Sequence, residues 1–102
     1  MLNITVLTPE KEIFRGPITS VKVPGTSGQF QVLRNHAAIV SSLQEGVVTI
    51  VTSKGEYQYF DLESGTIRID SEPGKVLTFN ISKGFIEVLN NEVSLLIQGL
   101  KK

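Results

Sequence analysis

The chain has 102 residues, which is enough for one domain. Ten Lys and Arg residues balance ten Asp and Glu residues, so the chain lacks the basic excess with which proteins attract nucleic acid or anionic lipid. The absence of cysteine excludes disulfides and thiolate chemistry. No apolar run approaches the ~20 residues of a membrane span. The N terminus lacks the basic start and long apolar run of a signal peptide. We therefore expect a single soluble domain.

Apolar and polar residues alternate between turn residues along the first third of the chain, a pattern typical of half-buried strands. The first predicted strand begins at Leu2 and is followed by a turn at Pro9-Glu10-Lys11. A second strand carries Thr19, Val21 and Val23 on one face and stops at Pro24-Gly25. Gly28 then opens a short third strand.

The rest of the chain repeats this pattern. Gly46 to Thr52 is rich in β-branched residues, which favour strands, and Lys54-Gly55 is a turn. Asn90-Asn91 suits a tight hairpin because asparagine tolerates positive φ. Three further strands are predicted, at Val76 to Ile81, Phe85 to Leu89 and Val93 to Ile97.

Only His36 to Leu43 could be helical, with Asn35 as its cap, and Ile39 to Leu43 fits a strand equally well. Short strands at this spacing indicate an all-β domain, either a β-sandwich or a flattened barrel. We expect an extended hairpin at about residues 57–80 to project from it.

The chain has no evident catalytic, cofactor or metal site. Its single histidine, His36, has no acidic residue nearer in sequence than Glu45, so a set of three or four metal ligands is not indicated. Ser41 and Ser42 lie near His36, but no nucleophile motif surrounds them. The glycines of Gly25-Thr26-Ser27-Gly28 lack the lysine and the following helix of a phosphate-binding loop. A non-catalytic docking role is the better interpretation.

Several stretches occur in the order in which they stand in the epsilon subunit of the F-type ATP synthase. They are Thr8-Pro9-Glu10-Lys11 with Phe14 and Gly16, Ser20-Val21-Lys22-Val23-Pro24-Gly25, Gly28-Gln29-Phe30, Leu33 with His36-Ala37, and Gly84 to Val93. Over nearly its whole length the chain resembles the N-terminal β-sandwich domain of that subunit. The resemblance implies one domain at 1–102, a flattened ten-stranded sandwich.

The resemblance also implies a function. The domain would be a non-catalytic, cofactor-free rotor subunit of the central stalk, docking the gamma subunit onto the membrane ring of c subunits and supporting the coupling of proton flow to ATP synthesis. It would lie at the cytoplasmic face of the bacterial plasma membrane and associate with the membrane only through the complex. The alternatives are a free-standing β-sandwich module that binds peptide or sugar, and a small enzyme.

Two sets of contact residues follow from the resemblance. The gamma subunit would contact Thr8, Ala37, Ala38, Val40 and Ser41, unless these residues instead fill one end of the sandwich. The polar loops of the c ring would contact Ser27, Gly28, Gln29, Asn35 and His36. We expect the two loops that carry the second set to form one foot at a single end of the sandwich. His36 could also hold its own loop by bonding a backbone carbonyl.

The chain departs from the family pattern at several places. Gln29 replaces a common acidic residue, and Arg34-Asn35 replaces Pro-Gly. The segment Asp61 to Lys75 is extra, and we expect a ribbon with one apolar side that folds back on the sandwich or pairs with a neighbouring molecule. The C-terminal pair of helices is absent, so we expect either a naturally short form or a piece of a longer protein.

Overall fold

The computed structural model describes residues 1–101, which contain ten β-strands and no helix. This confirms the predicted all-β fold. The strands are β1 (Leu2–Leu7), β2 (Glu12–Gly25), β3 (Gly28–Leu33), β4 (Ile39–Leu43), β5 (Gly46–Thr52), β6 (Tyr57–Asp61), β7 (Thr66–Asp70), β8 (Val76–Ile81), β9 (Lys83–Leu89) and β10 (Glu92–Gln98).

The long strand β2 is shared by the two layers of the sandwich. Its first half pairs with β1 and β6, and its second half pairs with β3 and β5. The first layer therefore runs β4, β9, β10, β1, β2, β6, β7, and the second runs β3, β2, β5, β8. Gly25 of β2 also pairs with Leu43 of β4, which joins the layers at one end.

The core lies between the layers and is built from the inward positions of alternating strands. In β1 and β10 every second residue is buried, and in β9 the alternate residues Ile86 and Val88 are, as the period of a pleated strand requires. Each fully buried Leu, Ile or Val side chain stabilises the fold by about 1.5–3 kcal/mol. In β2 adjacent residues such as Ile13 and Phe14 are both buried.

Three local expectations are decided by the structure. The segment that fitted helix or strand is strand β4. Asn90 and Asn91 have φ angles of 50° and 63°, as predicted for the turn between β9 and β10. The hairpin predicted at 57–80 is shorter: β6 pairs with β7, but β8 pairs with β5 and belongs to the second layer. Sequence alternation does not reveal that distant partner.

The hairpin of β6 and β7 folds back onto the edge of the first layer. Tyr59 pairs with Phe14 of β2, and Gln58 pairs with Arg15. The Lys11 ammonium also lies 4.0 Å from the centre of the Phe60 ring, close enough for a cation–π interaction. The base of the hairpin is thus anchored, but Ile67 and Ile69 of the added segment stay 62% and 63% exposed, so its apolar side does not fold back on the sandwich.

Tyr57 supplies the largest fully buried side chain of the core, and its ring stacks on Phe14 with centroids 5.4 Å apart. Burial is the main cause that raises the pKa of Tyr57 above its usual 10.0. Its hydroxyl oxygen has no hydrogen-bond partner among the described residues. The nearby Thr52 hydroxyl already donates to the Glu72 carbonyl and accepts from the Lys75 amide.

Tyr57→Phe is therefore expected to leave the free energy of unfolding unchanged or to raise it by up to about 1 kcal/mol, because no hydrogen bond is lost with the hydroxyl. Chemical denaturation at neutral pH measures this. The gain should grow above pH 10, where the unfolded chain ionises its tyrosine and the folded chain does not. A loss above ~1 kcal/mol would show that the hydroxyl is satisfied, and would contradict this account.

Candidate docking surfaces

The outward side of the first layer carries large apolar side chains that no other part of the described chain covers. We call this surface the apolar face and define it by Val40 of β4, Phe85 and Leu89 of β9, and Leu96 of β10. Their exposed fractions are 60%, 44%, 56% and 50%. Leu96 pairs with Phe85 on one side and with Leu7 on the other, so the apolar row crosses three strands. Glu87, the partner of Val40, separates Phe85 and Leu96 from Val40 and Leu89, so the face has two exposed apolar clusters. Exposed apolar patches mark interaction sites.

A groove of about 430 Å³ adjoins the apolar face where β1 ends. Its walls include Thr8 and Pro9 on one side, and Phe85 and Leu96 on the other. The Thr8 hydroxyl accepts hydrogen bonds from the amides of Glu10 (3.3 Å) and Lys11 (3.1 Å). These bonds fix the turn predicted at Pro9-Glu10-Lys11 and so define one edge of the groove.

A second groove, of about 280 Å³, lies at the other end of the same face. It is lined by Ala38, Ile39, Val40, Glu87, Val88 and Leu89. The small side chain of Ala38 lets a partner approach the backbone closely. The apolar face thus has a groove at each end.

The structure places four of the five predicted gamma-contact residues beside the apolar face. Thr8 lines the first groove, Ala38 and Val40 line the second, and exposed Ala37 precedes Ala38. Ser41 does not belong to this set. It pairs with buried Ile86 and is half-buried on the core side of β4. Because side chains alternate along a strand, the outward serine is Ser42, which pairs with Phe85.

The two loops expected to form one foot lie at opposite ends of β3, so that expectation is wrong. Ser27 and Gly28 lie at the tight turn between β2 and β3, where Gly25 pairs with Gly28. Asn35 and His36 follow the far end of the strand, beyond Leu33. The six residues of β3 span about 17 Å. The two loops therefore do not meet at one end of the sandwich.

The loop of Asn35 and His36 is clamped to the turn between β9 and β10. The Asn35 amide donates to the Asn91 side-chain oxygen at 2.6 Å, and the Asn91 side-chain nitrogen donates to the Asn35 oxygen at 3.2 Å. Nδ1 of His36 lies 2.7 Å from the carbonyl oxygen of Ala37. His36 therefore holds its own loop, as one of the two predicted roles required, and positions Ala37 and Ala38 beside the apolar face.

Sequence reasoning missed Phe85, Leu89 and Leu96 as surface residues and treated their strands as core. A signal was present in the alternation. Ile86 and Val88 define the inward phase of β9, which makes Phe85 and Leu89 outward residues of the same strand. Apolar residues in the outward phase, side by side on two paired strands, indicate a covered surface.

The described residues show no sign of a metal site or a membrane-spanning helix. Within residues 1–101, no group of three or more His, Cys, Asp or Glu side chains could hold a metal ion. In the same range no helix is long and apolar enough to cross a bilayer.

Known proteins are similar to this chain in sequence. Residues 1–71 match the family model of the ATP synthase delta/epsilon chain, β-sandwich domain. The chain is 33% identical over 94 residues to the ATP synthase epsilon chain of Campylobacter jejuni, covering 92% of this chain and 70% of that protein. It is 37% identical over 95 residues to the ATP synthase epsilon chain of Leptospira borgpetersenii, covering 93% of this chain and 59% of that one.

Two solved structures share the fold. A chain from the central stalk and c ring of the Tetrahymena thermophila mitochondrial ATP synthase aligns with a TM-score of 0.67 at 17% identity, over 99% of this chain and 66% of that one. A chain of the Euglena gracilis mitochondrial ATP synthase aligns with a TM-score of 0.72 at 19% identity, over 98% of this chain and 52% of that one. The chain therefore spans about half to two thirds of these longer chains. With the sequence matches, these likenesses show that it belongs to the ATP synthase delta/epsilon family, of which it carries the β-sandwich domain.

Proposed function

We propose that this chain is a non-catalytic rotor subunit of the central stalk of a proton-translocating ATP synthase, docking the gamma subunit onto the c ring at the cytoplasmic face of the bacterial plasma membrane. Relatives that are named ATP synthase epsilon chain support the stalk assignment. Family membership argues against the free-standing peptide or sugar module and against the small enzyme.

The apolar face carries the proposal for gamma. Four large apolar side chains, each 44–60% exposed, line the two grooves: Phe85 and Leu96 line the first, and Val40 and Leu89 the second. Aromatic and aliphatic side chains in such a patch are the usual anchors of a protein interface. The outward side of the second layer has a polar row of Lys22, Gln31, Thr49 and Thr78, and its exposed apolar residues are Leu33, Val47 and Val76. The first layer is the better surface for gamma because its exposed apolar side chains line two grooves that also contain Thr8 and Ala38.

The c ring is assigned to the turn of Ser27, Gly28 and Gln29. This turn lies at the end of the sandwich remote from the Asn35–Asn91 clamp, and its exposed polar side chains match a polar ring loop. The Gln29 carboxamide makes a neutral hydrogen bond there, roughly half as strong as the charge-assisted bond of a carboxylate. Asn35 and His36 are reassigned to the gamma side, because their loop adjoins Ala37 and Ala38.

Cysteine footprinting tests both assignments, since the chain has no cysteine of its own. Phe85→Cys and Val40→Cys are expected to react with a maleimide in the free protein and to be protected once gamma is bound. Gln29→Cys should stay reactive in the gamma complex and become protected only in the assembled enzyme with its ring.

Val47→Cys on the second layer is the matched control, because Val47 is 47% exposed and Phe85 is 44% exposed. It should remain reactive throughout. Equal protection of Val47→Cys and Phe85→Cys by gamma would contradict docking on the apolar face. Continued reactivity of Gln29→Cys in the assembled enzyme would refute the ring contact alone.

A further inference from the structure

Strand β7 is an open edge of the first layer. It pairs with β6 only, and no other described strand lies beside it. Every second residue of such an edge leaves its N–H and C=O groups free, which makes it a template for another strand. Ile67 and Ile69 of β7 are 62% and 63% exposed, so the edge also presents apolar side chains.

The two sides of β7 differ in chemistry. Ile67 and Ile69 pair with Phe60 and Gln58 of β6 and lie on the same side as these residues. Arg68 and the following acidic residue, Asp70, alternate with the isoleucines and therefore lie on the opposite side. Any strand added to this edge would meet isoleucine on one side and a cation and an anion on the other.

The charges of β7 already have partners within the hairpin, but those pairs are exposed. Arg68 forms an ion pair with Asp61 at 2.9 Å, and Lys75 approaches Asp70 to 3.8 Å. The amide of Glu63 and the Arg68 guanidinium lower the pKa of Asp61, so this carboxylate stays ionised at neutral pH. Arg68 and Asp70 lie two residues apart with opposite charges, and their side chains are 55% and 37% exposed although each is already paired within its own hairpin.

We propose that β7 pairs in antiparallel register with β7 of a second copy of this chain, around a two-fold axis at Ile69. This pairing goes beyond the proposed stalk function. The register sets Ile69 opposite Ile69 of the second copy. It also sets Arg68 opposite Asp70 of the second copy, and the symmetry repeats that pair. Directly opposed apolar side chains and opposite charges are the favourable cross-strand combinations.

Other registers are worse for electrostatic reasons. A two-fold axis at Arg68 places the two guanidinium groups directly opposite each other, and an axis at Asp70 does the same for two carboxylates. An axis at Ile67 leaves Arg68 opposite Thr66, with no charge partner. Like charges in direct opposition destabilise a strand pair. The sequence of β7 is thus self-complementary in one register, which favours a second copy over an unrelated strand.

The dimer is expected to be weak and reversible. In this register only residues 68–70 of β7 face each other, and Ile67 lies opposite Ser71 beyond the end of the strand. The buried area is therefore at the low end of protein interfaces, where association is transient. The formal net charge of zero means that little long-range repulsion opposes the contact. The free subunit should therefore be monomeric when dilute and dimerise as its concentration rises.

Charge reversal at the two positions tests the register by sedimentation equilibrium. In a dimer of the Arg68→Asp variant, two pairs of carboxylates face each other across the axis. In a dimer of the Asp70→Arg variant, two pairs of guanidinium groups do. Each variant should dimerise at least ~10-fold more weakly than the parent chain. In an equimolar mixture of the two variants, both cross-strand pairs have opposite charges, so a heterodimer should form. Folded variants that stay monomeric in the mixture would overturn the proposal.

A cysteine pair gives an independent measurement in a fully folded chain. Ile69→Cys places two cysteines opposite each other across the axis, at a separation that a disulfide can bridge, and it should cross-link under mild oxidation. Ile67→Cys is the matched control: it is equally exposed, but its two copies would lie about 14 Å apart. Equal cross-linking of both variants, or of neither, would refute the two-fold axis at Ile69. If the edge binds an unrelated strand instead, neither variant should cross-link.

Discussion

Replacing Gly16 with alanine is expected to destabilise the fold by about 3 kcal/mol or more, a large part of the stability of a small domain. A Cβ atom at residue 16 would lie 2.3 Å from Cβ of Tyr57 and 2.8 Å from its Cα. Neither atom can move freely, because the Tyr57 ring is buried and stacked on Phe14 of the same strand as Gly16. Relief of the clash would require β6 to move off β2, which would expose that core contact.

Chemical denaturation of Gly16→Ala measures this loss, and Gly65→Ala is its control. Gly65 lies in the turn of the β6–β7 hairpin with a φ angle of 70°, and a Cβ there would meet no atom within 4 Å. Gly65→Ala should therefore lower the free energy of unfolding by only ~1–2 kcal/mol, which is the cost of holding a residue with a Cβ atom in the left-handed conformation. A loss for Gly16→Ala no greater than that for Gly65→Ala would contradict the close packing of β6 against β2.

The sequence predicted the strands well because their periodicity is local. Alternation in β1, β9 and β10 follows from one face packing on the core, and the Asn90-Asn91 turn has the positive φ angles that asparagine tolerates. Pairing between strands distant in sequence could not be read in this way. The partner of β8 is β5, and nothing in the alternation of either strand identifies the other.

The docking residues were predicted less completely than the fold. The resemblance supplied Thr8, Ala38 and Val40, and the structure places them around the apolar face. Ser41 lies on the core side of β4, opposite Ile86, and its contact with gamma stays an untested prediction. The single foot failed for a simple reason: loops that precede and follow one strand lie at opposite ends of it.

The apolar face should tolerate charge in the free subunit but not in the complex. Phe85→Glu with Leu96→Glu is expected to leave the chain folded, because both side chains are about half exposed and point away from the core. The two new carboxylates lie opposite each other on paired strands, which should cost up to about 1 kcal/mol of stability. Docking would bury two unpaired carboxylates between protein surfaces. A buried charge without a partner costs several kcal/mol, so affinity for gamma should fall by at least ~100-fold.

The same charge change on the second layer separates this effect from net charge. Val47→Glu with Val76→Glu adds two carboxylates at positions that are 47% and 60% exposed. This control should bind gamma within about threefold of the parent chain, because exposed charges are largely screened at physiological salt. Calorimetric titration of gamma with each folded variant measures the difference. If both pairs weaken binding equally, repulsion acts through net charge alone and the apolar face is not the interface. If only the Phe85 and Leu96 pair does so, the outward side of β9 and β10 is where gamma docks.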